Sequence, residues 1–468
     1  MAVKRVRSFW LEQALDADRL PPVPLDHDRR TDVCIVGGGF TGLWTALEIK
    51  NRDPSVDVTI LEADLCGSGA SGRNGGFAMT WMSKAVTLLK VCGGQEGVRL
   101  LRASQDAVHA IGAFCSEHGM GAHFRHHGWL WTASNAQQLG AWDETLEGLA
   151  KIGLEPFDLL DFADVTRLGG TDRYLGGVFE GGVATVQPAL LARTLARVAM
   201  EKGVRIHEKT AMTSFQGGAA PVVHTRGATV TADTVVLALN AWAHELPVFR
   251  RSILPIASDV VMTRAVPERL EAIGLDTGIA ISDSRLSVNY CRSTPDGRLC
   301  FGKGGGAIPF AGRLGRRFDG VSPRREEIVR EIARYYPSLA DVGIAAAWRG
   351  PATRTATGLP HFGRIPGAAA IVYGHGYTGN GVAPSHVGGK ILASLALGTE
   401  DEWAGSPMVE SRPASFLPRE PVRYLGGQLV RAAVQRKEAV EDAGRAPGRL
   451  ATALAGLAPS GLAPTKDD

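Results

Sequence analysis

The sequence predicts an α/β fold, with one domain built on a parallel sheet and a second built mainly on an antiparallel one. Three observations point to the first domain. Residues 31–36, TDVCIV, form a short apolar run with β-branched residues, the pattern of a buried parallel strand. The run enters Gly37-Gly38-Gly39-Phe40-Thr41-Gly42, and LWTALEIKN follows with Leu43, Leu47 and Lys50 at helical spacing. Val58–Leu61 is a second apolar strand, and it ends on Glu62, twenty positions after Gly42. For the second domain, SDSRLSVNYCRSTPDGRLCFGK alternates in polarity around a Pro-Asp-Gly turn, the mark of an antiparallel hairpin.

Each part of the strand–glycine–helix–strand–acid series has a physical job. Gly37 allows the tight turn, Gly39 lets a pyrophosphate approach, and Gly42 lets the helix pack on the strand. Phe40 and Thr41 open the helix, whose free N–H groups face the phosphates. Glu62, followed by Ala63, stands where a dinucleotide fold places the acid that holds a ribose hydroxyl. A lone G-x-G-x-x-G is weak, but five parts in register outweigh a glycine turn with no ligand. The first domain is therefore Rossmann-like.

Residues 67–76, GSGASGRNGG, select the dinucleotide. Five of these ten residues are glycine, and glycine costs folding entropy, so a ligand must need the bare backbone. A nicotinamide enzyme needs no second glycine-rich loop just past the acid. A flavin does, because its ribityl chain and ring lie extended over the protein. Gly69, Ala70, Ser71, Gly75 and Gly76 are expected against FAD. Arg73 and Asn74, a charge and an amide inside a glycine loop, need partners and are expected to contact the cofactor or line the site.

Bulk properties narrow the classes. The 468 residues are 44% hydrophobic and 21% charged, an ordinary globular composition, and the net charge of +3 gives no reason to expect nucleic acid. The six cysteines form no C-x-x-C pair and read as reduced core thiols of a cytoplasmic protein. The first twenty residues lack a secretory apolar segment, and no run of 18 apolar residues exists to span a membrane. His123, His126 and His127 have neither helical spacing nor a cysteine or acid cluster beside them, so no metal is expected.

The stretch GASGRNGG after the fingerprint resembles the glycine oxidase and D-amino-acid oxidase superfamily, within it the amine-oxidising branch that includes γ-glutamylputrescine oxidoreductases. SFWLEQAL, LEADLCGSGASGRNGG and YGHGYTGNGVAPSHVGGK are most similar to aminophosphonate oxidoreductases of that branch. The resemblance implies a glutathione-reductase-type FAD domain assembled from residues 31–118, 178–250 and 348–400. It implies a mainly antiparallel substrate domain from 119–177 and 251–347. Residues 1–30 are left as an N-terminal extension. Residues 401–468 are left as a linker, a basic helix and a flexible tail. The helix is expected to pack on the body, join a partner or touch a membrane surface, with packing preferred.

By resemblance, Thr210 and Ala211 lie near the adenine, and Asn240 to Trp242 return to the cofactor. Gly376, Tyr377, Thr378, Gly379, Asn380 and Gly381 lie under the flavin pyrimidine, where the next helix supports negative charge. The expected chemistry is oxidation of an amine C–N bond. A neutral amine delivers hydride to flavin N5, the imine hydrolyses to aldehyde plus amine, and oxygen or another acceptor reoxidises the flavin. Tyr290, Arg292 and Arg349 are expected to line the pocket. The substrate is expected to be 2-aminoethylphosphonate or its N-methyl form, since a phosphonate favours arginine. γ-Glutamylputrescine, a hydroxy acid and a non-catalytic role are the alternatives. Monomeric sarcosine oxidases bind flavin through a cysteine near Gly350 and hold carboxylate with a lysine where Ala383 stands. Neither residue is present here, so FAD is expected to be non-covalent. The lysine that speeds their oxygen reaction is replaced by Cys300, with Lys303 nearby, which leaves oxidase and dehydrogenase open. The oligomeric state is not legible.

Overall fold

The computed structural model describes residues 6–18, 21–315 and 318–459. Two large sheets organise the chain. In the first, Thr229–Leu237, Arg29–Val36, Val58–Leu61 and Arg205–His207 lie side by side in parallel, and Ala368–His375 adds in parallel beside Thr229–Leu237. His361–Ile365 and the hairpin Ser214–Gln216/Val222–His224 extend it with antiparallel pairs. Arg29–Val36 has Val58–Leu61 on one side and Thr229–Leu237 on the other, so this strand sits at the reversal of strand order, where open α/β sheets form their ligand crevice. Helices Phe40–Arg52, Pro188–Glu201 and Pro384–Leu397 pack together as an apolar layer against this sheet. Leu43 and Leu47 are buried as the spacing predicts. Lys50 is buried too, with its ammonium donating to the carbonyls of Pro54 and Val56.

The second sheet runs in the order Ile344–Arg354, Leu254–Thr263, Leu299–Lys303, Asn289–Ser293, Ala280–Asp283, Trp129–Ala133, Gly176–Glu180, Phe157–Leu160. Every pair is antiparallel except Ala280–Asp283 with Trp129–Ala133. The expected hairpin is present: Asn289–Ser293 pairs with Leu299–Lys303 across a turn in which Gly297 adopts φ +71°. The α/β class and the two kinds of sheet are as the sequence predicts.

Several boundaries differ. The breaks expected at 177/178 and 347/348 fall inside strands Gly176–Glu180 and Ile344–Arg354. The blocks read as strands also contain helices Asp143–Ala150, Phe162–Gly169 and Arg325–Tyr335. Two of these are eight residues long, too short for a clear helical period. The N-terminal extension is no appendage. Helix Phe9–Ala17, capped by the Ser8 hydroxyl accepting from Leu11 N, buries Trp10, Leu11 and Ala14 against Trp348 and Ala189. At the other end, helix Val422–Asp442 packs on the body, and a further helix, Arg449–Gly456, occupies part of the stretch expected to be flexible. Residues 460–468 of that tail lie outside the described residues. Among the described residues, all six cysteines are free and buried, and no helix is long and apolar enough to cross a membrane.

Candidate active site

The C-terminal ends of the parallel strands open into a cavity of ≈ 660 Å³. Its floor is the fingerprint. Gly37 N donates to Leu61 O at 2.9 Å, and a Cβ at Gly37 (φ +118°) would stand 2.5 Å from Ala238 O. A Cβ at Gly42 would stand 2.0 Å from Gly37 O, so that glycine serves helix–strand packing rather than the cavity wall. Gly39, Phe40 and Thr41 line the cavity. Phe40 N donates to Ser71 Oγ at 2.9 Å, and Thr41 Oγ1 donates to Tyr377 Oη at 3.0 Å, tying the first glycine loop to the other two. Glu62 faces the cavity with each carboxylate oxygen accepting one backbone N–H, from Gly38 and Asp64, both at 2.8 Å. Burial raises its pKa, and those two N–H groups oppose the rise.

The second glycine loop is stitched from within and clasped from outside. Gly69, Ala70, Ser71, Arg73, Asn74 and Gly75 line the cavity. The Asn74 amide donates to Ala70 O and Ser71 O while its Oδ1 accepts from Gly76 N, so the side chain holds the loop's own shape. Gly76 (φ +80°) lies off the wall, where a Cβ would meet Val186 O at 2.1 Å. Arg73 donates to the carbonyls of Ser68, Arg349 and Val6. Ser8, Trp10 and Trp348 bind the carbonyls of Gly72, Asn74 and Arg73. The N-terminal helix is thus a brace for this loop. Nothing in a linear reading pairs residues 8 and 10 with residues 72 and 74.

Ala63 and Ala211 line the cavity beside Glu62. Thr210 is just behind, its hydroxyl accepting from Leu25 N at 2.9 Å and its N–H donating to Glu62 O at 2.8 Å. Trp242 covers Gly69. Asn240 (φ +43°) accepts from Thr353 Oγ1 and from Gly376 N. Tyr377, Thr378, Gly379 and Gly381 line the opposite side, while Gly376 (φ +91°) and Asn380 sit behind them. Asn380 donates to Thr80 O at 2.9 Å, and its Oδ1 is buried without a hydrogen-bond partner.

The expected pocket arginines are displaced. Tyr290 does line the cavity, its hydroxyl 3.1 Å from Ser258 Oγ and its ring against Gly75 and Gly302, neither of which leaves room for a Cβ. Burial pushes its phenol pKa up. Arg292 is not on the wall. It donates to Gly75 O at 2.7 Å and Val186 O at 2.8 Å and lies over the Trp10 ring, and burial lowers its pKa to about 10. Arg349 forms a buried two-point pair with Asp259 at 2.8 and 2.9 Å, also off the wall. Both arginines hold the frame, which corrects the expectation that they line the pocket. Lys303 pairs with Asn289 and Glu331 rather than facing the cavity. Wall residues not expected from the sequence include Ser258, Arg285 and Arg354, and the carboxylates Glu245 and Asp319. For Arg354 a signal existed: it stands four residues, two strand periods, after Gly350.

The lining fits an extended dinucleotide bearing a flavin. Three glycine segments converge on one cavity, and an acid, Glu62, stands on its wall. No cysteine is among the described residues that line it. Residues 32–395 match the DAO family, FAD dependent oxidoreductase.

The chain belongs to this family. It is an FAD-dependent oxidoreductase, in agreement with the fold, cofactor and enzyme class expected from the sequence. It is 30% identical over 394 residues to the γ-glutamylputrescine oxidoreductase of Escherichia coli, covering 83% of this chain and 89% of that one. It is 25% identical over 395 residues to the glycine oxidase of Geobacillus kaustophilus, covering 82% and 97%. The crystal structure of a glycine oxidase from that organism shares the fold, with a TM-score of 0.69 at 22% identity over 83% of this chain and all of the other. The match to this family ends at residue 395, before the helix Val422–Asp442.

Proposed function

We propose that this chain oxidises the C–N bond of a small primary or secondary amine that also carries an anionic group. The first substrate to try is 2-aminoethylphosphonate or its N-methyl form. The supporting observation is that one continuous cavity joins the fingerprint and Glu62 to a wall bearing Tyr290, Ser258 and Arg354. In this reading the parallel sheet holds the cofactor and the antiparallel sheet shapes the substrate end. FAD, when bound non-covalently, supplies the two-electron acceptor for the α-carbon hydride.

The chain's own residues bind and orient. Tyr290 keeps its proton through the neutral range because burial pushes its pKa up, and with Ser258 it offers a neutral hydroxyl pair to a substrate amine. Arg285, also on the wall, is charge-balanced by Asp283 and Asp442. A second reading, oxidation of γ-glutamylputrescine, is favoured by the E. coli relative.

The test is anaerobic reduction of the bound flavin by N-methyl-2-aminoethylphosphonate, 2-aminoethylphosphonate and γ-glutamylputrescine in parallel. Bleaching by either phosphonate is expected. Bleaching by γ-glutamylputrescine alone assigns the second reading, and bleaching by none of them removes the proposal. Acid precipitation is expected to release the FAD, and flavin retained in the pellet would contradict non-covalent binding.

A further inference from the structure

We infer that Arg354 is the residue that holds the anionic group of the substrate, a role the sequence reading had given to Arg292 and Arg349. The inference deepens the proposed function and rests on it for the amine, though not for the anion.

Three arginines line the cavity: Arg73, Arg285 and Arg354. Arg73 places three donors on the carbonyls of Ser68, Arg349 and Val6, which ties it to the loop. Arg285 is bound by two carboxylates, Asp283 and Asp442, at 2.9 and 2.7 Å. Arg354 donates from Nη1 to Thr378 O at 2.9 Å, and no carboxylate among the described residues pairs with it. A guanidinium carries five N–H donors in a planar fork, so most of its capacity faces other groups.

The end of the strand places it at the cavity, and strand geometry separates it from Arg349. In Ile344–Arg354 alternate side chains share a face, so Gly350, Ala352 and Arg354 look one way and Arg349 the other, onto Asp259 across the pair. The last five residues of the strand, Gly350 to Arg354, all line the cavity, and Arg349 does not. The strand ends at Arg354, beside the third glycine loop, where a Cβ on Gly379 would lie 4.0 Å from Nη1.

The surroundings favour an incoming anion. Burial lowers the Arg354 pKa to about 10. Lys84, buried nearby, is lowered to about 7 by burial and then by the charge of Arg354. A buried guanidinium with no carboxylate among the described residues paired to it concentrates positive charge at this end of the cavity. An oxyanion with one or two negative charges relieves it through a two-point bond to the fork. A phosphonate or a carboxylate has this chemistry. The reduced cofactor also carries negative charge, so the experiment separates the two sources.

The FAD-loaded full chain is titrated with ethylphosphonate and with butyrate, which carry the anion but no amine and cannot turn over. The readout is the shift of the flavin absorbance bands. In Arg354→Met the dissociation constant of ethylphosphonate is expected to rise at least about tenfold, as for the loss of a charge-assisted bond. In Arg354→Lys it is expected to recover in part. FAD affinity and flavin reduction potential are expected to shift less than anion affinity in both variants, because the same guanidinium also holds Thr378 O of the third glycine loop. Equal anion affinity in parent and Met variant overturns the inference, as does a parent that binds neither anion. A shift in FAD affinity or potential with unchanged anion affinity assigns the guanidinium to the cofactor and also overturns it. A chain that binds ethylphosphonate through Arg354 but is bleached by no amine keeps this inference and loses the proposed function.

Discussion

Arg292→Met separates the two roles considered for that arginine. The Arg292 guanidinium donates to Gly75 O at 2.7 Å and Val186 O at 2.8 Å and lies 4.8 Å from the Trp10 ring centroid. Methionine keeps most of the stem volume but removes a charged donor from two carbonyls, at about 1–3 kcal/mol each. Loss of the contact with the Trp10 ring removes about 1 kcal/mol more. Removing a desolvated charge that has no carboxylate partner offsets part of this, so a net destabilisation of about 2–5 kcal/mol is expected. Because Gly75 belongs to the second glycine loop, the loss is expected to reach FAD as well. The assay pairs the thermal midpoint of the FAD-free chain with the FAD dissociation constant by fluorescence titration. A midpoint several degrees lower and an FAD constant at least about tenfold higher are expected. Parent values of both, together with a raised KM for an anionic amine only, would refute the reasoning and return Arg292 to the substrate pocket.

Three further outcomes follow from the same geometry. Glu62→Ala is expected to weaken FAD binding by about 1.5–3 kcal/mol, the range of a charged hydrogen bond, and unchanged affinity would count against its ribose role. Gly42→Ala puts a methyl 2.0 Å from Gly37 O, a backbone atom that cannot swing away, so the variant is expected to melt earlier and to take up little FAD. Parent-like melting and FAD uptake would contradict that packing. Glu180, buried with Thr80 Oγ1 at 2.5 Å, has its pKa raised from 4.5 to about 7, with burial as the main cause. A raised folded-state pKa means stability is fully present below pH 4.5 and is lost as pH rises through 7, by at most about 3 kcal/mol. Glu180→Gln is therefore expected to flatten the decline in stability between those pH values, and an identical pH profile would show that the carboxyl does not titrate there.

The cofactor half was legible because its demands are local in sequence. A turn that needs φ +118° at Gly37, a helix start that needs Gly42, and an acid one strand later all lie within 26 residues, from Gly37 to Glu62. The second loop announced itself by composition, and the third by its resemblance to the family's glycine motif. The substrate half was less legible because its partners are distant in sequence. Arg349 and Arg354 are both arginines near Gly350, and only the pairing with Leu254–Thr263 decides which face each takes. One partner of Arg285, Asp283, is two residues away, but the other, Asp442, lies 157 positions away. The bracing of the second glycine loop by Ser8 and Trp10 was equally hidden, since it spans 64 positions.

By itself the sequence determined that this chain has a Rossmann-like sheet with an FAD fingerprint and an antiparallel partner sheet. Those features depend on short-range periodicity and on residue types with restricted or permissive backbones. Only the tertiary structure decided which charges are answered inside the protein and which face the cavity. An arginine's role is set by the acceptors that long-range packing brings within about 3 Å, and spacing along the chain does not encode that distance.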